Sequence, residues 1–425
     1  MNHKKITRVR KTRFYKRMFQ ASGIIIAFFM VVGIFTKDKT YSETENRELA
    51  GPPKLEAFQN ASYFNDMNAW ITDQFAFRNQ LMSLRTTGQK MMGRKECNGV
   101  YFGRNGYLLE KPVSPDIKAE EKTENAINLF TEKHSDINSV MMIVPDCATT
   151  FPELLLKGTP VRKQSDDVNN FEEKISEKVV KVDVKTILSS DKSSQIYYRT
   201  DHHWTSKGAY DLFVGAAENL GIKNTGEYDI YKVSNSFSGT MASKSGVYSE
   251  ADSIDIYSQK DNDVKYYVEY PDLNKKVTSV YDSGKLKDKD QYSVFFGGNH
   301  PIVTIKTTAD SGRNLLVFKD SYANSFVPFL VPYFDNIIMI DPRYYYENPE
   351  SEMKIYNITD VLYLYSADTF LTDTSLAEVL NDKSTSSSGS SGQDVNNASS
   401  GDAYKISSPT ASDASTANDA PADGE

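Results

Sequence analysis

The stretch YYRTDHHWTSKGAY, residues 197–210, gathers two of the chain's five histidines, an aspartate and one of its two tryptophans. Asp201, His202 and His203 are residue types that either hold a metal ion or move a proton. In an extended segment residues i and i+2 share a face, so Asp201 and His203 are expected as neighbours while His202 points away. An aspartate beside a histidine fixes the imidazole tautomer and stabilises the imidazolium that forms when the ring accepts a proton. A metal site asks for a further ligand at an equally clear spacing. His3, His134 and His300 supply none. An acid–base pair is therefore preferred to a metal site, and to a purely structural cluster.

A proton acceptor needs something to activate. The stretch LLVFKDSYANSF, residues 315–326, reads as an apolar strand, a tight turn and a helix beginning near Ser321. Open α/β sheets place their sites beyond the carboxyl ends of strands. A serine there, at a helix N-terminus, suits a nucleophile whose reaction develops negative charge. The other reading of Ser321 is a helix cap. A third stretch, FFGGNHP at 295–301, carries paired glycines that allow close backbone approach. Asn299 is read as aiming its amide at an oxyanion, or else as a turn residue between the strands SVFFGG and IVTIKT. Backbone groups around Ser321 and Tyr322 are the other expected oxyanion and substrate contacts. Arg343, following a strand, either binds an anionic or acyl group or braces the site against Asp341.

These residues need a scaffold. From about 120 onward helix and strand patterns alternate. EEKTENAINLFTEKH is amphipathic, SVMMIVP and VVKVDV are short apolar runs, and WTSKGAYDLFVGAAENLGI opens on a Thr205 cap and closes at Gly221. NIIMIDPR and VLYLYS are two more buried strands. This order predicts an α/β fold whose sheet is mostly parallel and flanked by helices. Residues 225–310, richer in Gly, Ser, Tyr and Val, insert strands and loops. Residues 61–92 read as helical, and RNG within 99–109 marks a hairpin.

The ends narrow the class. Residues 1–17 carry eight Lys/Arg and no acid within a chain of net charge −8, which leaves about −16 on the remaining 408 residues. No basic stripe follows, which argues against a nucleic-acid partner. Next comes an uncharged apolar segment, MFQASGIIIAFFMVVGIF. At about 1.5 Å per residue it is long enough to span a hydrocarbon core. No small-x-small cleavage site follows, which favours an uncleaved anchor over a cleaved signal. The basic flank keeps the N-terminus cytoplasmic and the rest of the chain outside. The expected layout is a basic segment (1–17), a transmembrane anchor (18–36), a stalk and entry region (37–110), a catalytic domain (111–380) and a disordered Ser/Asp/Ala/Gly-rich tail (381–425). The two cysteines, Cys97 and Cys147, lack metal-finger spacing. One disulfide and two buried thiols are both open. No nucleotide- or CoA-binding motif is present, and no cofactor or metal is expected.

Together the motifs ETENREL (43–49), DQFAFRN (73–79), MMIVPD (141–146), TDHHWTSKGAY (200–210), FSGT (237–240), GGNHP (297–301), KDSY (319–322) and DPRYY (341–345) resemble the DHHW family. That family is a branch of the SGNH/GDSL hydrolase-like proteins and is similar to the alginate O-acetyltransferases. The resemblance implies a flavodoxin-like SGNH fold, with Ser321 as nucleophile, His203 as general base and Asp201 as its partner. It departs at Lys319, where GDSL proteins carry glycine. It implies a membrane-anchored, extracytoplasmic O-acetyltransferase of an envelope polysaccharide, supplied with acetyl groups by a membrane-bound O-acyltransferase. A carbohydrate acetyl esterase with the same triad and a non-catalytic envelope-assembly or glycan-binding protein are the alternatives.

Overall fold

The computed structural model describes residues 3–42, 47–54, 62–248 and 250–381. The expected low-complexity tail lies outside the described residues from 382 onward. Helix α1 (His3–Phe35) contains a span, Lys11–Gly33, long and apolar enough to cross a membrane, and none of that span is buried within the protein.

Residues 111–380 centre on an eight-stranded sheet. Its strands are β1 (Asn138–Val144), β2 (Val179–Lys181), β3 (Tyr266–Tyr270), β4 (Lys275–Val277), β5 (Ile302–Thr307), β6 (Asn314–Lys319), β7 (Asn336–Ile340) and β8 (Asp360–Ser366), in the spatial order β4-β3-β5-β7-β6-β8-β1-β2. The strands from β7 to β2 are parallel, whereas β4, β3 and β5 join antiparallel. The sheet is thus mixed, with four parallel and three antiparallel strand pairings. The physical reason lies in the inserted segment: β3 and β4 are joined by a tight turn closing on Asn274 at φ 47°, and so short a connection permits only antiparallel pairing.

The parallel strands are apolar on both faces. Leu315 and Val317 of β6 enter one core with Phe213 of α5 (Ser206–Gly215); Leu316 and Phe318 enter the other with Phe130 of α4 (Ile117–Lys133). The same alternation runs through β1, β7 and β8, so helices cover both sides. Each such buried side chain contributes about 1.5–3 kcal/mol relative to exposure. Cys97 and Cys147 are both buried free thiols.

Several local expectations change. The 61–92 helix is two helices, α2 (Ser62–Asp73) and α3 (Arg78–Met91), broken where Phe77 takes φ 58°. Helix α5 stops at Gly215, and a run of turns carries the chain to Gly221 at φ 67°. SVFFGG is no strand: Gln291–Val294 is a 3-10 turn. The expected stalk does not stand free. Gln74 accepts from the Lys39 N–H and donates to the Lys39 and Ala50 carbonyls, Asp73 accepts from the Ala50 N–H, and Trp70 donates to Asp38.

Candidate active site

Residues 197–204 fold as a tight hairpin rather than an extended strand. Tyr198 N–H donates to the His203 carbonyl at 3.2 Å and Thr205 N–H to the Ile196 carbonyl at 2.8 Å. Asp252 anchors this hairpin by accepting from the N–H groups of Arg199 and Thr200, the Thr200 hydroxyl and the Gln195 amide. The loop tip therefore has a fixed shape.

At the tip Asp201 is buried, and both of its oxygens are engaged. Oδ1 accepts from the His203 N–H at 3.0 Å and from His203 Nδ1 at 2.6 Å; Oδ2 accepts from the Thr240 N–H at 2.7 Å and the Thr240 hydroxyl at 3.0 Å. Gly239 makes this possible, since a Cβ there would lie 2.3 Å from Asp201 Oδ2. Burial pushes the Asp201 carboxyl up, but the charges of His202 and His203 and the hydrogen bonds from His203 outweigh it, and the carboxyl is held well below the usual range. With Nδ1 donating to a carboxylate, the lone pair of His203 is on Nε2, and this nitrogen lies 2.8 Å from Ser321 Oγ. Carboxylate, imidazole and hydroxyl thus form one continuous chain.

His202 does not point away. Its ring centroid lies 3.9 Å from that of His203, and its Nδ1 donates to the Thr240 hydroxyl oxygen at 2.7 Å. A bent loop, unlike a strand, can bring consecutive side chains to one side. Burial, then the nearby charge of His203, lowers the His202 pKa. Asp201, His202 and His203 could offer three ligand atoms within 4.8 Å of one another. The two Nδ1 atoms are instead spent on Asp201 and Thr240.

Strand β6 delivers the serine. Asp320 follows its end and is buried; it accepts from the Tyr322 N–H at 2.9 Å, the Ser366 N–H at 2.9 Å and the Ser366 hydroxyl at 2.7 Å. That ties the turn to β8. Ser321 sits in the turn itself, and the helix beyond it, Ala323–Phe326, has four residues. So short a helix gives little dipole, which removes one expected source of charge stabilisation. Trp204 answers why tryptophan follows the histidines. Fully buried, it donates through Nε1 to Ser325 Oγ at 2.8 Å and to the Tyr322 carbonyl at 3.1 Å, joining the histidine loop to the serine turn.

Of the expected oxyanion contacts, Tyr322 is corrected. Its N–H is taken by Asp320, its hydroxyl donates to the His202 carbonyl, and its ring is buried, so it braces the site. The Ser321 N–H carries no hydrogen bond among the described residues. Asn299 is exposed, and its Oδ1 accepts from Lys319 Nζ at 3.2 Å and from Asn324 Nδ2 at 3.0 Å. Lysine only donates, so it forces this amide to present oxygen inward and leaves Nδ2 free to donate outward. Lys319 is the residue found where glycine was expected. It is buried, also donates to Asn324 Oδ1 at 3.0 Å, and lies 3.4 Å from Asp341; desolvation lowers its pKa. Arg343 braces: its Nε and Nη2 grip Asp341 at 2.8 and 2.6 Å.

Sequence reasoning missed Tyr292. Its ring stacks on His203 with centroids 3.8 Å apart at 11°, and its hydroxyl meets the Ser321 carbonyl and Ser325 Oγ. It comes from the 3-10 turn Gln291–Val294 and sits just ahead of the stretch SVFFGG, and nothing local marks it. A second missed group is Asp146 and Asp368, bridged by the Gln164 amide; burial and then the charge of Glu110 raise Asp368 to about 6.

Residues 141–340 match the model of the family described as DHHW protein. No curated protein matches the chain. Among solved structures, a DHHW family protein from Eubacterium siraeum is 25% identical with a TM-score of 0.57, covering 67% of this chain and 95% of that one. Bacillus cereus PatB1, solved with a sulfonyl adduct, is 18% identical with a TM-score of 0.55, covering 65% and 97%. The O-acetyltransferase domain of Pseudomonas putida AlgJ is 17% identical with a TM-score of 0.42, covering 66% and 98%.

Proposed function

For a chain whose residues 141–340 match the DHHW family model, we propose an O-acetyltransferase that moves an acetyl group onto a hydroxyl of a cell-envelope polysaccharide through an acetyl-serine intermediate. The observation that carries this reading is the buried relay Asp201–His203–Ser321, with Nε2 of His203 2.8 Å from the serine oxygen. His203 takes the Ser321 proton as Oγ attacks the acetyl carbonyl. Asp201 holds the tautomer and stabilises the imidazolium. The Ser321 N–H and Asn299 Nδ2 are the free donors for the oxyanion. The imidazolium then protonates the leaving group. In the second half-reaction His203 deprotonates a sugar hydroxyl, which attacks the acetyl-serine, and as the acetyl–Oγ bond breaks the imidazolium returns the proton to Oγ.

The acetyl group and the glycan acceptor rest on the motif resemblance to alginate O-acetyltransferases. The membrane location rests on α1 and its basic flank. An extracytoplasmic site without a CoA-binding motif makes a membrane-bound O-acyltransferase the fitting acetyl supplier. The test is competition: purified full-length chain in detergent is given a chromogenic acetyl ester with and without envelope oligosaccharides. Acetylated oligosaccharide, formed by wild type and not by Ser321→Ala, is expected. Release of acetate at an unchanged rate, with no acetylated sugar from any envelope glycan, would make the protein an esterase instead.

A further inference from the structure

We propose that α2, α3 and the loop joining them lie against the lipid bilayer that holds α1, with Arg85 of α3 and Arg94 just beyond it meeting anionic lipid headgroups. The inference rests on reading α1 as a membrane anchor.

The first observation is a contact. The rings of Phe29 and Phe75 lie 5.1 Å apart. Phe29 is inside the apolar span, four residues before its end at Gly33, or about 6 Å along the helix axis. Phe75 is in the loop between α2 and α3, so that loop is level with the span and not beyond it. Hydrogen bonds that Gln74, Asp73 and Trp70 make with Asp38, Lys39 and Ala50 hold it there.

The second observation is a pattern of exposed apolar side chains. On α2, Phe64 and Ile71 are exposed, seven residues apart and so on one face. On α3, Leu84 and Met91 repeat the same spacing and are 68% and 85% exposed, and Phe77 in the loop just before it is 52% exposed. Side chains this large on one stripe lose about 25 cal/mol for each Å² left in water. A soluble domain seldom keeps such a stripe uncovered.

The third observation is charge. Between Asp73 and Glu96 the chain carries five Lys/Arg and no acid. Arg85 and Arg94 are exposed and line a groove of about 480 Å³ with Lys95, Gln89 and one acid, Glu96, which Lys111 neutralises. A basic helix with an apolar stripe, next to a membrane span, matches the chemistry of an anionic lipid surface.

A nitroxide label at Leu84→Cys tests this in the full chain, because Cys97 and Cys147 are buried. The labelled chain is placed in vesicles of phosphatidylcholine with or without phosphatidylglycerol, and collision rates with oxygen and with a water-soluble nickel complex are compared by electron paramagnetic resonance. A label at Tyr346→Cys, 79% exposed and far along the chain, is the control. The oxygen-to-nickel ratio should be several-fold higher at 84 than at 346, and should fall when Arg85→Glu and Arg94→Glu are added or phosphatidylglycerol is omitted. Equal ratios at both sites in a chain that floats with the vesicles would overturn the proposal and leave the stripe to a protein partner. A ratio indifferent to those charges would overturn the headgroup contact. Failure to float would instead remove the anchor reading itself.

Discussion

At the residue scale the consequence of the geometry is a ranking. His203 touches Ser321 and Asp201, whereas His202 touches Thr240 beside them. His203→Ala should lower kcat by about three orders of magnitude or more, as loss of a triad member does. His202→Ala should cost far less, because it removes a neighbour of the relay and not a member; rates of acetyl-ester turnover decide it. Equal losses would make the histidine pair a unit, with the Thr240 bridge as its link. Lys319 has a different prediction. Its ammonium sets the outward direction of the Asn299 amide, so Lys319→Met should lower kcat by roughly 10²-fold, the scale of one lost oxyanion donor, with little change in KM. A matching rise in KM alone would mean that Lys319 serves binding. The three members of the relay were legible in sequence because aspartate, histidine and serine have few alternative uses in such a cluster. The roles of Lys319, Tyr322 and Tyr292 were not, since each depends on which long-range partner its polar group meets.

At the element scale the site hangs on where a loop tip, a strand end and a glycine meet. Gly239 approaches Asp201 so closely that Gly239→Ala, with an ordinary φ of −86°, adds only a steric conflict. The methyl should displace the Asp201 carboxylate, lowering turnover by about tenfold or more while the thermal transition shifts by only a few degrees, a loss of about 1–3 kcal/mol. Wild-type activity in that variant would show that Asp201 tolerates displacement. The buried strands β1, β6, β7 and β8 were readable as uninterrupted apolar runs. In the antiparallel half β5 was readable as IVTIKT, whereas β3 and β4 were not, because they are half-exposed and mixed in composition. The same limit hid the hairpin at 197–204: its bend is imposed by Asp252, more than forty residues away in sequence.

At the scale of the whole molecule the residues after the ends of parallel strands converge. Ser321 follows β6, Asp341 and Arg343 follow β7, and Asp146 and Asp368 follow β1 and β8. This is the carboxyl edge where open α/β sheets hold ligands. Under the anchor reading, helix α1 and the hydrogen bonds that tie Asp38, Lys39 and Ala50 to Trp70, Asp73 and Gln74 keep that domain close to a membrane.

The most direct measurement concerns the intermediate. Full-length protein is mixed with a chromogenic acetyl ester in the absence of an acceptor, quenched in acid, digested and analysed by mass spectrometry. One acetyl group on the peptide containing Ser321, lost when an acceptor oligosaccharide is added before the quench and missing in Ser321→Ala, is the predicted result. Turnover of the ester with Ser321 never acetylated, or turnover unchanged in Ser321→Ala, would contradict a serine nucleophile and with it the proposed transfer.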